Sequence, residues 1–266
     1  MRSACAILGP VTLRFNLHER GTMSSATQHG KKGIGRLYGV GVGPGDPELL
    51  TLRAYHILSR VPVIFVPLKD EKSRSYARSV IDNLVKKPEG KVVGLVLPML
   101  RDREQLADYW HQAVESIWQY LKKGEDCAFV NVGDPLLYGT FIHIWETLQK
   151  SHPEVEVEVI PGISSINAAA ARAVVPLASN DENIAIISGN RENKFIRETL
   201  KNFDTVVFMK MNTVFDKLLT ILEELNLVEK CVYVRRCTTQ DEEIIWDVSQ
   251  LKGEKVDYFS LLIVRK

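Results

Sequence analysis

Gly39-Val40-Gly41-Val42-Gly43-Pro44-Gly45-Asp46-Pro47-Glu48-Leu49-Leu50-Thr51 is a stretch in which an apolar strand pattern passes into a glycine-rich turn and then a helix start. Two more stretches share this build: Gly133-Asp134-Pro135-Leu136-Leu137-Tyr138-Gly139 and Pro161-Gly162-Ile163-Ser164-Ser165. Each follows a β-branched apolar run and precedes a helical pattern. Loops at the carboxyl ends of parallel strands look like this, and open α/β sheets bind their ligands there. Three such loops in one chain predict a cleft.

Outward from these loops, apolar runs alternate with amphipathic stretches. Strands are predicted over 37–41, 63–66, 92–97, 127–131 and 155–160, with helices over 47–58, 76–85, 104–122 and 141–149. The longest helix puts Tyr109, Trp110, Ala113, Val114, Ile117, Trp118 and Leu121 on one broad apolar face, and Asp102 with Gln105 has the form of a capping box at its start. An Ala-rich helix follows over 166–174. A second series then gives strands over 184–188, 206–209, 231–234, 244–247 and 258–264, with helices over 194–202 and 213–225. The polar turn at 176–181 separates the two series. The fold class is therefore α/β, with two α/β domains, 33–177 and 178–266, and a cleft between them. Residues 1–32 have mixed composition, end in a polar stretch before Lys31-Lys32, and read as an N-terminal extension dispensable for chemistry.

The 266 residues are 45% hydrophobic and 25% charged, near the globular average, which speaks against disorder. Lys+Arg 34 against Asp+Glu 33 gives a near-neutral chain, so nucleic-acid binding through bulk charge is not expected. No apolar run approaches the ~20 residues that span a bilayer, so no membrane residence is expected either. Cys5, Cys127, Cys231 and Cys237 show no C-x₂-C spacing, and read as reduced, structural cysteines of a cytoplasmic protein.

The first loop partly matches a dinucleotide fingerprint, because Gly39, Gly41 and Gly43 alternate after a strand. Pro44, however, removes an amide donor where a pyrophosphate needs one. Asp46 followed by Pro47 is also a standard helix start, with Asp at the N-cap and Pro at N1. Gly133 and Gly139 bracket Asp134-Pro135, so main chain can approach a ligand closely there. Ser164 and Ser165 open a helix, where amides and hydroxyls can bind a carboxylate or Ser164 can serve as the cap. The histidines are scattered with no metal-ligand spacing, so no metal site is expected. G-x-S-x-G and G-x-x-x-x-G-K-[ST] are both absent.

Together the three loops resemble the signature loops of the tetrapyrrole methylases, S-adenosylmethionine-dependent enzymes of corrin and sirohaem synthesis. Tyr138-Gly139-Thr140-Phe141, Leu97-Pro98-Met99 with Arg101-Asp102, and the helix over 75–81 resemble the precorrin-2 C20-methyltransferase branch, which includes enzymes acting on cobalt-factor II. The resemblance implies a homodimer, a tetrapyrrole substrate, and S-adenosyl-L-methionine bound between two α/β domains. It implies that Pro44 lines the cleft, that Val132, Gly133, Asp134, Leu137, Ser164 and Ser165 hold the donor, and that Met209 and Thr238 contact it from the second domain. Arg235-Arg236-Cys237 departs from the small or neutral residues more common at that place.

The expected reaction is methyl transfer to carbon 20 of precorrin-2 or cobalt-factor II in cobalamin biosynthesis. The protein would mainly contribute proximity and a dry cleft. Asp46 is the candidate for removing the proton from the methylated carbon, while Arg101 and Arg103 are candidates for pairing with the ring's carboxylates. Two alternatives are another tetrapyrrole methylase, such as uroporphyrinogen-III methyltransferase, and a nicotinamide-dependent oxidoreductase using the first loop.

Overall fold

The computed structural model describes residues 33–73, 75–82, 90–98 and 103–266, with Arg103 and Glu104 described by backbone alone. The expected extension, 1–32, and the capping residue Asp102 lie outside the described residues. The first sheet contains β1 (Leu37–Gly41), β2 (Val63–Leu68), β3 (Lys91–Val96), β4 (Cys127–Asn131) and β5 (Val157–Ile160), in the order β3-β2-β4-β1-β5. All its pairings are parallel.

Side chains alternate across this sheet with the two-residue period of a strand. Tyr38, Val40, Ala128 and Val130 pack beneath α1 (Leu52–Arg60) and α2 (Tyr76–Ile81). Leu37, Cys127 and Phe129 pack on the opposite face under α3 (Arg103–Leu121) and α4 (Phe141–Ser151). Ala113, Val114, Ile117 and Leu121 form the buried stripe of α3, with Tyr109, Trp110 and Trp118 partly buried at its margin. Burial on both faces is why these strands read as nearly unbroken apolar runs.

The helix expected over 47–58 forms instead as a 3-10 turn, Pro47–Leu49, followed by α1. Two caps in quick succession explain the break. Glu48 N donates to Asp46 Oδ1 at 2.9 Å, and Ala54 N donates to Thr51 Oγ1 at 3.2 Å, with Leu50 and Thr51 both extended.

The second sheet is mixed. It contains β6 (Ile184–Ser188), β7 (Thr205–Met209), β8 (Cys231–Arg235), β9 (Glu243–Ile245) and β10 (Ser260–Arg265), in the order β6-β7-β10-β8-β9. Only β6 and β7 run parallel; the other neighbours are antiparallel. One face carries α6 (Asn193–Asn202) and α7 (Phe215–Glu224). The other is covered by α5 (Ser165–Ala173), whose Ala168, Ala169, Ala170 and Ala173 pack against Val207, Val232, Val234, Leu261 and Ile263. The helix entered from the third loop therefore lies on the second sheet, and that loop carries the chain from one half to the other.

Strands β4, β1 and β5 are neighbours, so the three loops leave the first sheet side by side. Pairing continues past the strand ends: Val42 N donates to Asn131 O at 2.9 Å and Gly133 N to Gly43 O at 2.8 Å. The backbones then approach more closely than side chains allow. A Cβ on Gly41 would stand 2.5 Å from Gly162 N and 2.6 Å from Gly133 O, and one on Gly162 would stand 2.2 Å from Gly133 O. Backbone cannot yield as the end of a flexible side chain does. Gly162→Ala is therefore expected to cost about 2–3 kcal/mol of stability, read as a lower urea midpoint. An unchanged midpoint would mean that the loops part without penalty.

Candidate active site

Between the loops of the two sheets lies a cavity of about 420 Å³, within the usual size range for small-molecule sites. Its lining includes eight of the nine residues expected to hold the donor: Pro44, Val132, Gly133, Asp134, Leu137, Ser164, Ser165 and Met209. Thr238 is the exception. It sits behind the wall, where its Oγ1 accepts from Asp46 N at 2.9 Å, while Arg236 and Cys237 of the same segment reach the lining.

Several polar groups here serve the loops themselves. Both carboxylate oxygens of Asp134 are engaged, Oδ1 accepting from Leu136 N at 2.9 Å and Oδ2 from Gly162 N at 3.1 Å. Asp134 thus ties the second loop to the third. Ser164 caps α5, accepting from Asn167 N at 3.3 Å and donating to Asn167 Oδ1 at 2.6 Å. Asp46 caps the 3-10 turn and is not among the lining residues. The first glycine loop opens this short turn rather than a helix. It therefore lacks the helix N-terminus on which a dinucleotide's pyrophosphate sits, and the oxidoreductase alternative loses its footing.

Arg101 lies outside the described residues, and Arg103 begins α3 with only its backbone described. No contact with the cavity is assigned to either. Among the described residues no cluster of three or more His, Cys, Asp or Glu could hold a metal ion. Cys127, Cys231 and Cys237 are free and buried, and burial pushes each thiol up to about 12. Cys237 is therefore a neutral thiol in the cavity wall.

Sequence reading passed over four contributors. Asn131 is 6% exposed and organises the second loop. Its Nδ2 donates to Val132 O at 2.7 Å and Asp134 O at 3.3 Å, and its Oδ1 accepts from Phe141 N at 3.4 Å. A polar residue closing an apolar strand just before Gly133 was the available signal. Tyr76 stacks on Phe259 with ring centroids 4.7 Å apart and donates its hydroxyl to Pro44 O at 3.3 Å. Burial pushes the Tyr76 phenol up, so it stays protonated. Lys210 lines the cavity directly after β7. These three are joined only by the fold and had no signal in the sequence.

Backbone strain collects at this cleft. Tyr138, Lys210, Arg236 and Thr238 are non-glycine residues with φ of 54°, 56°, 46° and 66°. Left-handed backbone costs such residues about 1–2 kcal/mol each. Polar contacts hold two of them. Arg236 donates to Asp241 at 2.9 Å and Asp257 at 2.8 Å, and Thr238 N donates to Glu242 Oε2 at 2.6 Å. Burial pushes the Glu242 carboxyl up, but hydrogen bonds from Arg172 and Thr238 N outweigh it and hold the group below its ordinary range.

Over residues 36–252 the chain matches the family described as Tetrapyrrole (Corrin/Porphyrin) Methylases. It is 36% identical over 236 residues to a probable cobalt-precorrin-2 C(20)-methyltransferase of Methanocaldococcus jannaschii, covering 88% of this chain and 97% of that one. A precorrin-2 C(20)-methyltransferase of Sinorhizobium is 30% identical over 240 residues, covering 87% and 96%. Among solved structures, a cobalt precorrin-4 methyltransferase of cobalamin biosynthesis shares the fold with a TM-score of 0.67 at 21% identity, covering 86% of this chain and 94% of its own. A uroporphyrin-III C-methyl transferase from Thermus thermophilus, complexed with S-adenosylhomocysteine, has a TM-score of 0.61 at 24% identity, covering 87% and 98%. Sequence match, fold and the place of the three loops agree: the chain belongs to the tetrapyrrole (corrin/porphyrin) methylases.

Proposed function

We propose that this chain is an S-adenosylmethionine-dependent C-methyltransferase of cobalamin biosynthesis, acting on carbon 20 of precorrin-2 or cobalt-factor II. The observation that carries the proposal is the near full-length likeness to C20-methyltransferases, joined to a cavity lined by loops of both sheets. The cavity suits the donor. Gly133 has φ +70° and a Cβ there would project beside the start of α5, meeting only Ser164, Ser165 and Ile163 at 3.9 Å or more. That leaves a cradle of main chain and small side chains.

In this reading Pro44, Val132, Gly133, Asp134, Leu137, Ser164, Ser165 and Met209 hold the donor, with Thr238 supporting them through its contact with Asp46. When bound, S-adenosylmethionine supplies a methyl group already activated on a sulfonium sulfur. The chain's own part is to bring two reactants together and keep water out. Arg101 and Arg103 are offered as partners for the ring's carboxylates. The division into 1–32, 33–177 and 178–266, a cytoplasmic location and a homodimer belong to the same proposal. Among the described residues no helix is long and apolar enough to cross a membrane.

Titration calorimetry with S-adenosylhomocysteine is expected to give saturable heat, and donor consumption should depend on added precorrin-2 or cobalt-factor II, assayed side by side. No heat from folded protein would sink the reading. Light scattering should give twice the 30.0 kDa chain mass; a monomer would remove the homodimer. Asp46 is the carboxylate offered for proton removal. Because Asn caps as well as Asp, Asp46→Asn should keep the fold and lower kcat on the order of 100-fold. Normal turnover would leave Asp46 with its cap alone.

A further inference from the structure

Lys210 lines the cavity from the second sheet, in left-handed backbone with φ 56°. Its Nζ lies 5.1 Å from the ring centroid of Tyr138, a residue of the second loop that is itself left-handed, with φ 54°. Tyr138 donates its hydroxyl to Ile186 O at 3.5 Å, so its ring reaches from the first half onto the second. Tyr138 lines the cavity yet is 42% exposed, which places the pair at the cleft mouth.

The neighbouring cations differ. Arg236 is held by Asp241 and Asp257, and Arg235 by Glu243. Among the described residues no carboxylate pairs with Lys210, whose charge rests over an aromatic face. An ammonium has three donors. One ring face beneath it leaves donors directed elsewhere, and the pair forms despite two unfavourable backbone conformations. A strained, cavity-lining cation with no anionic partner points to an anion supplied by the ligand.

Both ligands of the proposed reaction carry carboxylates: the donor in its amino-acid moiety, the tetrapyrrole around its periphery. Six of the donor candidates line the wall formed by the loops after β4 and β5, with Pro44 after β1 and Met209 at the end of β7 beside Lys210. The Lys210 ammonium, by contrast, lies over the half-exposed Tyr138 ring at the mouth, with Tyr76, Tyr258 and Phe259 in the same lining. We infer that Lys210, seated over Tyr138, receives a peripheral carboxylate of the tetrapyrrole and so selects which edge of the ring enters the cleft. This rests on the proposed function, and deepens it by naming a specificity-determining residue on the second half.

The test combines steady-state kinetics on precorrin-2 with S-adenosylhomocysteine calorimetry. Lys210→Gln should raise KM for precorrin-2 about tenfold, the loss of one charge-assisted hydrogen bond, with kcat and S-adenosylhomocysteine affinity unchanged. Lys210→Arg should restore most of the loss, and Tyr138→Leu, which removes the ring under the ammonium, should raise KM by a smaller factor. Retained S-adenosylhomocysteine binding shows that each variant is folded. An unaltered KM in Lys210→Gln overturns the inference. So does a matching fall in S-adenosylhomocysteine affinity, which would give Lys210 to the donor. Failure of the unsubstituted chain to bind S-adenosylhomocysteine would instead remove the proposed function itself.

Discussion

Gly41 and Gly162 let their turns meet the backbone of Gly133 and of each other, at distances that would put a Cβ on either within 2.6 Å of neighbouring main chain. The rest of the site inherits its shape from this contact. Adjacency of β4, β1 and β5 brings the turns together, and the missing side chains let them close. Asp134 and Asn131 then use their polar atoms to fix the closed form. Where the glycines bring main chain to the cavity wall, its outline does not depend on rotamers.

The second half meets this hub differently. It offers strained backbone, held by charge. Arg236 lies between Asp241 and Asp257, and Glu242 joins Arg172 of α5 to Thr238 N. Pairs as exposed as these contribute modest energy, so their value is positional: they keep the 236–242 segment against Asp46 of the first loop. The Tyr76–Phe259 stack makes a second crossing, apolar where the first is polar.

Much of this was legible in the sequence because the signals are local. Strands buried on both faces read as apolar runs, and 37–41, 127–131 and 184–188 agree with β1, β4 and β6 residue for residue. Other ends moved where a side chain intervened. The last strand starts at Ser260 rather than 258 because Tyr258 and Phe259 turn into the cavity lining, and β9 stops at Ile245, with Asp247 capping a 3-10 turn over Val248–Leu251. The donor-side candidates came from turns whose glycines and caps are written in consecutive residues. Lys210, Tyr76 and Phe259 matter through partners far along the chain, and no local pattern announces such pairs. The Ala-rich helix was legible as a helix, but its seat on the second sheet depends on which surface its small side chains fit.

β10 lies at the centre of the second sheet although it comes last in the chain, with Leu261–Val264 2% exposed or less and β7 and β8 on either side. During synthesis the first sheet can assemble once β5 has emerged from the ribosome. The nascent second half must wait for its keystone. Until then β7 and β8 have no shared partner, and α5 has only part of its bed. The cleft, whose lining includes Ser260 and Leu261, is therefore incomplete until β10 has joined the sheet.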